Sequence, residues 1–182
     1  MSLDSHQSVY REKLLEHLLI GELLKYSWQH HGASLEVSQP AIDRAGHDIV
    51  LEANRITRHV QLKTSSTIAT TGRQNVHAGL AQKPSGCVVW MRFDPEAMTL
   101  GPFLFFGSAP GMALPALDGF KVATHTKGNA QGVKAQRLGL RVVPRSMFRE
   151  VATIPALYAA LFGEHADEKA PAMQEPAVNP SE

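Results

Sequence analysis

Residues 46–65, "GHDIVLEANRITRHVQLKTS", decide how this chain is read. On either side of Asn54 the residues suit half-buried β-strands, one from about His47 to Ala53 and one from about Ile56 to Thr64. The short link around Asn54 joins them as a hairpin. Asp48 opens the first strand, and Gln61, Leu62 and Lys63 lie near the end of the second. By the two-residue strand period Asp48 shares a face with Val50, and Gln61 and Lys63 share one with His59. The hairpin is therefore expected to gather Asp48, Gln61 and Lys63 at one edge of a sheet.

Upstream, residues 8–31 read as one amphipathic helix, with Leu15, Leu18, Leu19 and Tyr26 at helical spacing. Ser8 is the expected cap, and Gly32 stands where a terminating glycine belongs. Glu22 falls on the apolar stripe, whereas Glu16 has the more polar neighbours. A carboxylate on a buried stripe is costly unless paired or bound to metal, so Glu22 is the expected functional acid of the helix. Between helix and hairpin, "SLEVSQ" (34–39) reads as a strand.

Downstream, residues 75–83 are expected to form a short helix, "GCVVWMRF" (86–93) a central strand and "GPFLFFG" (101–107) its neighbour. Residues 107–119 read as loop, "LGLRVV" as a strand, and "TIPALYAALFG" as a helix capped by Thr153 and closed by Gly163. The order is helix, three strands, short helix, further strands, final helix. That order describes an α/β fold: one domain, a central mixed β-sheet and flanking helices.

Residues 1–163 form the expected domain, with 12 acids against 17 bases, and residues 164–182 an acidic tail expected to be disordered. No apolar run suits a transmembrane helix, and the first residues lack the pattern of a secretory signal. The single cysteine, Cys87, has no partner in the chain, sits in an apolar run and reads as a buried hydrophobe. A reducing compartment, the cytoplasm, is the expectation. Residues 119–149 hold seven lysines and arginines and no acid. Within this segment Lys127, Lys134, Arg137 and Arg141 are the expected contacts to nucleic-acid phosphates.

A helix acid, then "GHD" opening a strand, then "QLK" ending the next, resembles the PD-(D/E)XK nuclease superfamily, which includes restriction endonucleases and Holliday-junction resolvases. The resemblance covers roughly residues 12–107 and extends to the element order, a restriction-endonuclease-like αβββαβ core. It implies a Mg²⁺ site, with Mn²⁺ able to substitute, held by Asp48, the Gln61 side-chain oxygen, the Leu62 backbone carbonyl and Glu22. Lys63 would orient the attacking water or stabilise phosphate charge. The implied activity is hydrolysis of phosphodiester bonds in DNA, and the residues do not separate DNA from RNA. One departure is that Gln61 stands where an acid is common, as in some branches of the superfamily. One such site cuts one strand, so double-strand cleavage implies a homodimer or two successive nicks.

Two other readings carry different expectations. A catalytically inactive nucleic-acid-binding module of the same fold would bind DNA without an Asp48-dependent metal site. A protein-interaction subunit would show no steep salt dependence in nucleic-acid binding. Other chemistries fail on spacing: Gly128, Gly132 and Lys134 do not make a P-loop, and Ser108 in "GSAPG" is not at a nucleophile elbow. His30 and His31 point to different helix faces, there is no HExxH, and one cysteine cannot build a usual zinc site.

Overall fold

The computed structural model describes residues 5–42, 44–127 and 131–164. The expected acidic tail, apart from Glu164, lies outside the described residues. The chain begins with helix α1 (Ser5–His30), followed by strands β1 (Glu36–Ser38), β2 (Ile49–Ala53) and β3 (Ile56–Ser66). Strand β4 (Arg73–His77) and a single tight helical turn (Ala78–Gln82) lead to β5 (Gly86–Phe93) and β6 (Leu100–Gly107). Short β7 (Val122–Thr124), long β8 (Gln136–Pro144), β9 (Arg149–Val151) and helix α2 (Ile154–Phe162) complete it. Among the described residues no helix is long and apolar enough to cross a membrane.

The strands form a six-stranded mixed sheet, in the order β1-β2-β3-β5-β6-β9, and a three-stranded sheet, β4-β8-β7. In the large sheet β3 and β5 run parallel while the other neighbours are antiparallel. The fold is thus α/β around a mixed sheet, as the element order implies. The β2–β3 hairpin turns at Asn54 and Arg55, both with positive φ (55° and 62°), the geometry of a two-residue turn that follows the sheet's twist.

Strand β5 is buried along its whole length, which is why its sequence is apolar without alternation. Its residues nevertheless divide by face. Cys87, Val89, Met91 and Phe93 join Leu15, Leu19 and Leu23 of α1 and Leu157 and Leu161 of α2 in one core. Val88 and Trp90 pack with Leu104, Phe106, Val76 and Val143 in a second core, beneath the small sheet. The molecule therefore has three layers: helices, large sheet, small sheet.

Residues 75–83 depart from expectation. Asn75, Val76 and His77 pair with Val142, Arg141 and Leu140 of β8, and Val76 is fully buried. Helical conformation is confined to the turn that follows, whose first N–H groups include Gly79, donating to His77 Nδ1 at 3.1 Å. Pairing with a strand more than sixty residues away overrides the local pattern. Consequently the connection from β3 to β5 passes through the small sheet rather than through an α-helix. The expected final helix is present, with the Thr153 hydroxyl accepting from the Ala156 N–H and Gly163 closing it at φ 86°.

Candidate functional site

The site grows from a difference in length between two strands. β2 starts at Ile49, opposite Val60, whereas β3 continues six residues beyond Val60 to Ser66. Past that point β3 has β5 on one side and no β2 residue on the other. Asp48 lies where the strands part. Its own N–H still donates to the Val60 carbonyl at 2.9 Å. Its carboxylate oxygen Oδ2 then accepts from the Leu62 N–H at 2.6 Å, replacing a ladder bond that β2 is too short to make. A hydrogen bond this short to an ionised acceptor fixes the carboxylate in place.

Two residues earlier, Gly46 adopts φ 78°, and a Cβ on it would lie 2.1 Å from the His77 Cβ and 3.2 Å from Gln61 Nε2. Only glycine meets both demands, the positive φ and the close approach. The loop that carries Asp48 is thus seated on β4 of the small sheet.

A cavity of about 400 Å³ opens at the parting of the strands. Asp48, Leu62, Lys63 and Thr64 line it from the large sheet, Glu12, Lys13 and Glu16 from α1, and Gln74 from β4. Asp48, Leu62 and Lys63, singled out from the sequence, are brought together here.

Glu22 and Gln61 are not. Glu22 has a side chain 44% exposed and forms a surface ion pair with Lys25, away from the cavity. The helix acids that border the cavity are Glu12, which is exposed, and Glu16, whose side chain is only 8% exposed. The core stripe of α1 runs through Leu15, Leu19 and Leu23, and Glu16 and Glu22 flank it on opposite sides. Which flank overhangs the strands' parting depends on how the helix lies across the sheet. Periodicity cannot supply that; its neighbours in space do. Glu16 Oε1 and Oε2 accept from Lys13 Nζ at 2.9 and 3.1 Å, and Oε1 also accepts from Gln39 Nε2 at 2.5 Å. The burial of Glu16 is thereby compensated.

Gln61 is buried, and its side-chain oxygen accepts the His77 N–H at 3.1 Å. It ties the large sheet to β4 and does not line the cavity. The side-chain oxygen expected to hold a metal is thus engaged by β4 in this structure.

The donors around the cavity fit a hard divalent cation. Asp48 and Glu16 offer carboxylate oxygens and Leu62 offers backbone at the same edge. Mg²⁺ commonly binds through one or two carboxylates, keeps several waters and takes further oxygens from a phosphate. Among the described residues no three His, Cys, Asp or Glu side chains cluster as a ready-made metal group. A cation here would thus rely on water and substrate for much of its shell.

Of the four expected phosphate contacts, Lys134 alone lines either of the two cavities described. Lys127 and Arg137 are exposed, the latter on β8 opposite Ala123. Arg141 pairs across the ladder with buried Val76 and donates to the Leu138 carbonyl at 2.7 Å. Lys134 lines a second cavity, of about 270 Å³, on the small sheet.

Elsewhere, Arg58 at the start of β3 is fully buried. It donates to the carbonyls of Leu161, Ala160 and Ser108 and to Ser85 Oγ, at 2.8 to 3.2 Å. Burial lowers its pKa, opposed by the neighbouring Cys87. Burial likewise pushes the Cys87 thiol up to about 12, so it is an inert hydrophobe at neutral pH.

Comparison with known proteins found no matching family model, no matching curated protein and no matching solved structure.

Proposed function

We propose that the chain hydrolyses phosphodiester bonds of DNA at the cavity between α1 and the parting strands, using Mg²⁺. The observation that carries this reading is the convergence of Asp48, Glu16 and Lys63, from three elements, around one opening of about 400 Å³. An acid pair with an adjacent lysine matches what the reaction demands: negative oxygens to hold a cation and a positive group for the phosphate. When bound, the cation supplies a more acidic water and neutralises charge on the phosphate.

The protein's own groups do the positioning. The Leu62 N–H holds the Asp48 carboxylate at the strand edge. Lys13 and Gln39 hold the Glu16 carboxylate against the same opening. Lys63, whose ammonium is a compact charge on a flexible stem, lines the cavity and would contact a phosphate oxygen or the attacking water. A single cysteine, buried as a thiol, agrees with work in a reducing compartment such as the cytoplasm. One site cuts one strand, so cutting both requires two copies or two turnovers.

Nicking of supercoiled plasmid with Mg²⁺ or Mn²⁺ tests the reading. Asp48→Ala and Lys63→Ala are each expected to reduce the rate by about a hundredfold or more, on the scale of losing one electrostatic contact in a transition state. Activity that survives in both variants would refute it. The engagement of Gln61 by His77 favours one second reading, a module that binds nucleic acid without cutting it. That module would bind DNA in a salt-dependent way and nick nothing under any divalent metal.

A further inference from the structure

The second cavity, of about 270 Å³, lies on the small sheet. Arg73 and Asn75 of β4, Lys121, Thr124 and His125 around β7, and Lys134 border it. No acid lines this cavity, and residues 119–149 contain none. Among the described residues Arg73, Lys121 and Lys134 have no carboxylate within ion-pair distance. Three cations with no carboxylate facing them repel one another, and hydroxyl and amide donors stand beside them. Such a set is matched by an anion with several oxygens, of which phosphate is the fitting class.

The position of β4 says which phosphate. β4 is an edge strand of the small sheet, and its side chains alternate. Gln74 lines the first cavity, and its chain neighbours Arg73 and Asn75 line the second. The two openings therefore lie on opposite faces of a single strand, separated by a distance on the order of 10 Å, the depth of one sheet layer. A polymer leaving one opening reaches the other by crossing one edge, over a few phosphates of a nucleic-acid strand.

We propose that the second cavity binds a backbone phosphate of the nucleic-acid strand whose scissile bond lies in the first. This rests on the function proposed above and extends it: the substrate must continue past the cut, across β4. A nucleotide or a very short fragment would leave the second cavity unfilled.

The test is fluorescence anisotropy of a labelled oligonucleotide in EDTA, so that binding is read without cleavage. Wild type is compared with Arg73→Gln/Lys121→Gln, both exposed positions, over a range of salt concentrations. A thermal melt of each protein verifies folding, and single substitutions replace the pair if the pair melts early. The affinity of the double variant is expected to fall at least about tenfold, and the slope of log affinity against log salt to fall by about two. Equal affinity and slope in the two proteins would overturn the inference, even with wild-type nicking intact. Polyglutamate competing as well as unlabelled oligonucleotide would also overturn it, since the cavity would then accept any polyanion. Loss of affinity in the variant with no nicking by wild type would uphold the phosphate site and sink the catalytic reading instead.

Discussion

Strand β3 carries charge at both of its ends, and the two ends treat it in opposite ways. At the start, Arg58 is sealed from solvent and surrounded by three carbonyls and a hydroxyl. Near the other end, Lys63 joins Asp48 and Glu16 around a cavity. The first arrangement spends a cation on joining α2, the loop at Ser108 and the large sheet. The second leaves charged groups beside space that a substrate could enter. Burial alone therefore does not single out a candidate site in this protein; charge beside an opening does.

Removing the sealed charge should have the largest effect on stability. Arg58→Ala would leave a void and strand the carbonyls of Ala160, Leu161 and Ser108. A loss of about 3–5 kcal/mol in urea unfolding is expected. A loss below about 1 kcal/mol would mean that water or a neighbour readily replaces the guanidinium, and the contrast with Lys63 would collapse.

The open end is sharpened by comparing its two helix acids. Glu16→Gln is expected to slow plasmid nicking by about tenfold or more, the scale of a positioned charge at a reacting site. Glu22→Gln should leave the rate within about twofold, because its surface pair with Lys25 contributes little. The reverse ranking would move the site to the other flank of α1.

The smallest effect concerns His59, between the two ends. Burial, helped by the nearby His47 and Lys83 charges, holds this imidazole below its ordinary value of 6.5. The unfolded chain then takes up the proton more readily than the native one, so the neutral ring stabilises the fold. That contribution is complete above about pH 6.5 and is lost as pH falls through the lowered native value. Melting temperature should decline on acidification from about pH 6.5 down to the lowered native value, and His59→Gln should flatten the decline. An unchanged slope in the variant would assign the acid sensitivity to other groups.

The readability of the molecule follows the same division. The hairpin, the buried β5 and β6, and the capped α2 were legible because local pattern and tertiary setting agree there. Asp48 and Lys63 were legible as a spaced pair at strand ends. Glu16 was not, since its choice over Glu22 depends on how a helix crosses a sheet. The engagement of Gln61 was not legible either, because sequence cannot show that β4 lies beside it to donate the His77 N–H. β4, β7 and β9 were missed for a related reason: they are three to five residues long and exist through partners distant in the chain. Arg58 has no distinguishing spacing at all.

The contact between Gly46 and His77 bears on how this architecture could be remade. The small sheet looks like an appendage, yet its first strand is the bed on which the Asp48 loop lies. Grafting the helix and the large sheet onto another scaffold without β4 would carry over every residue of the hairpin and still lose the setting of its acid. The two sheets are heritable only as a pair.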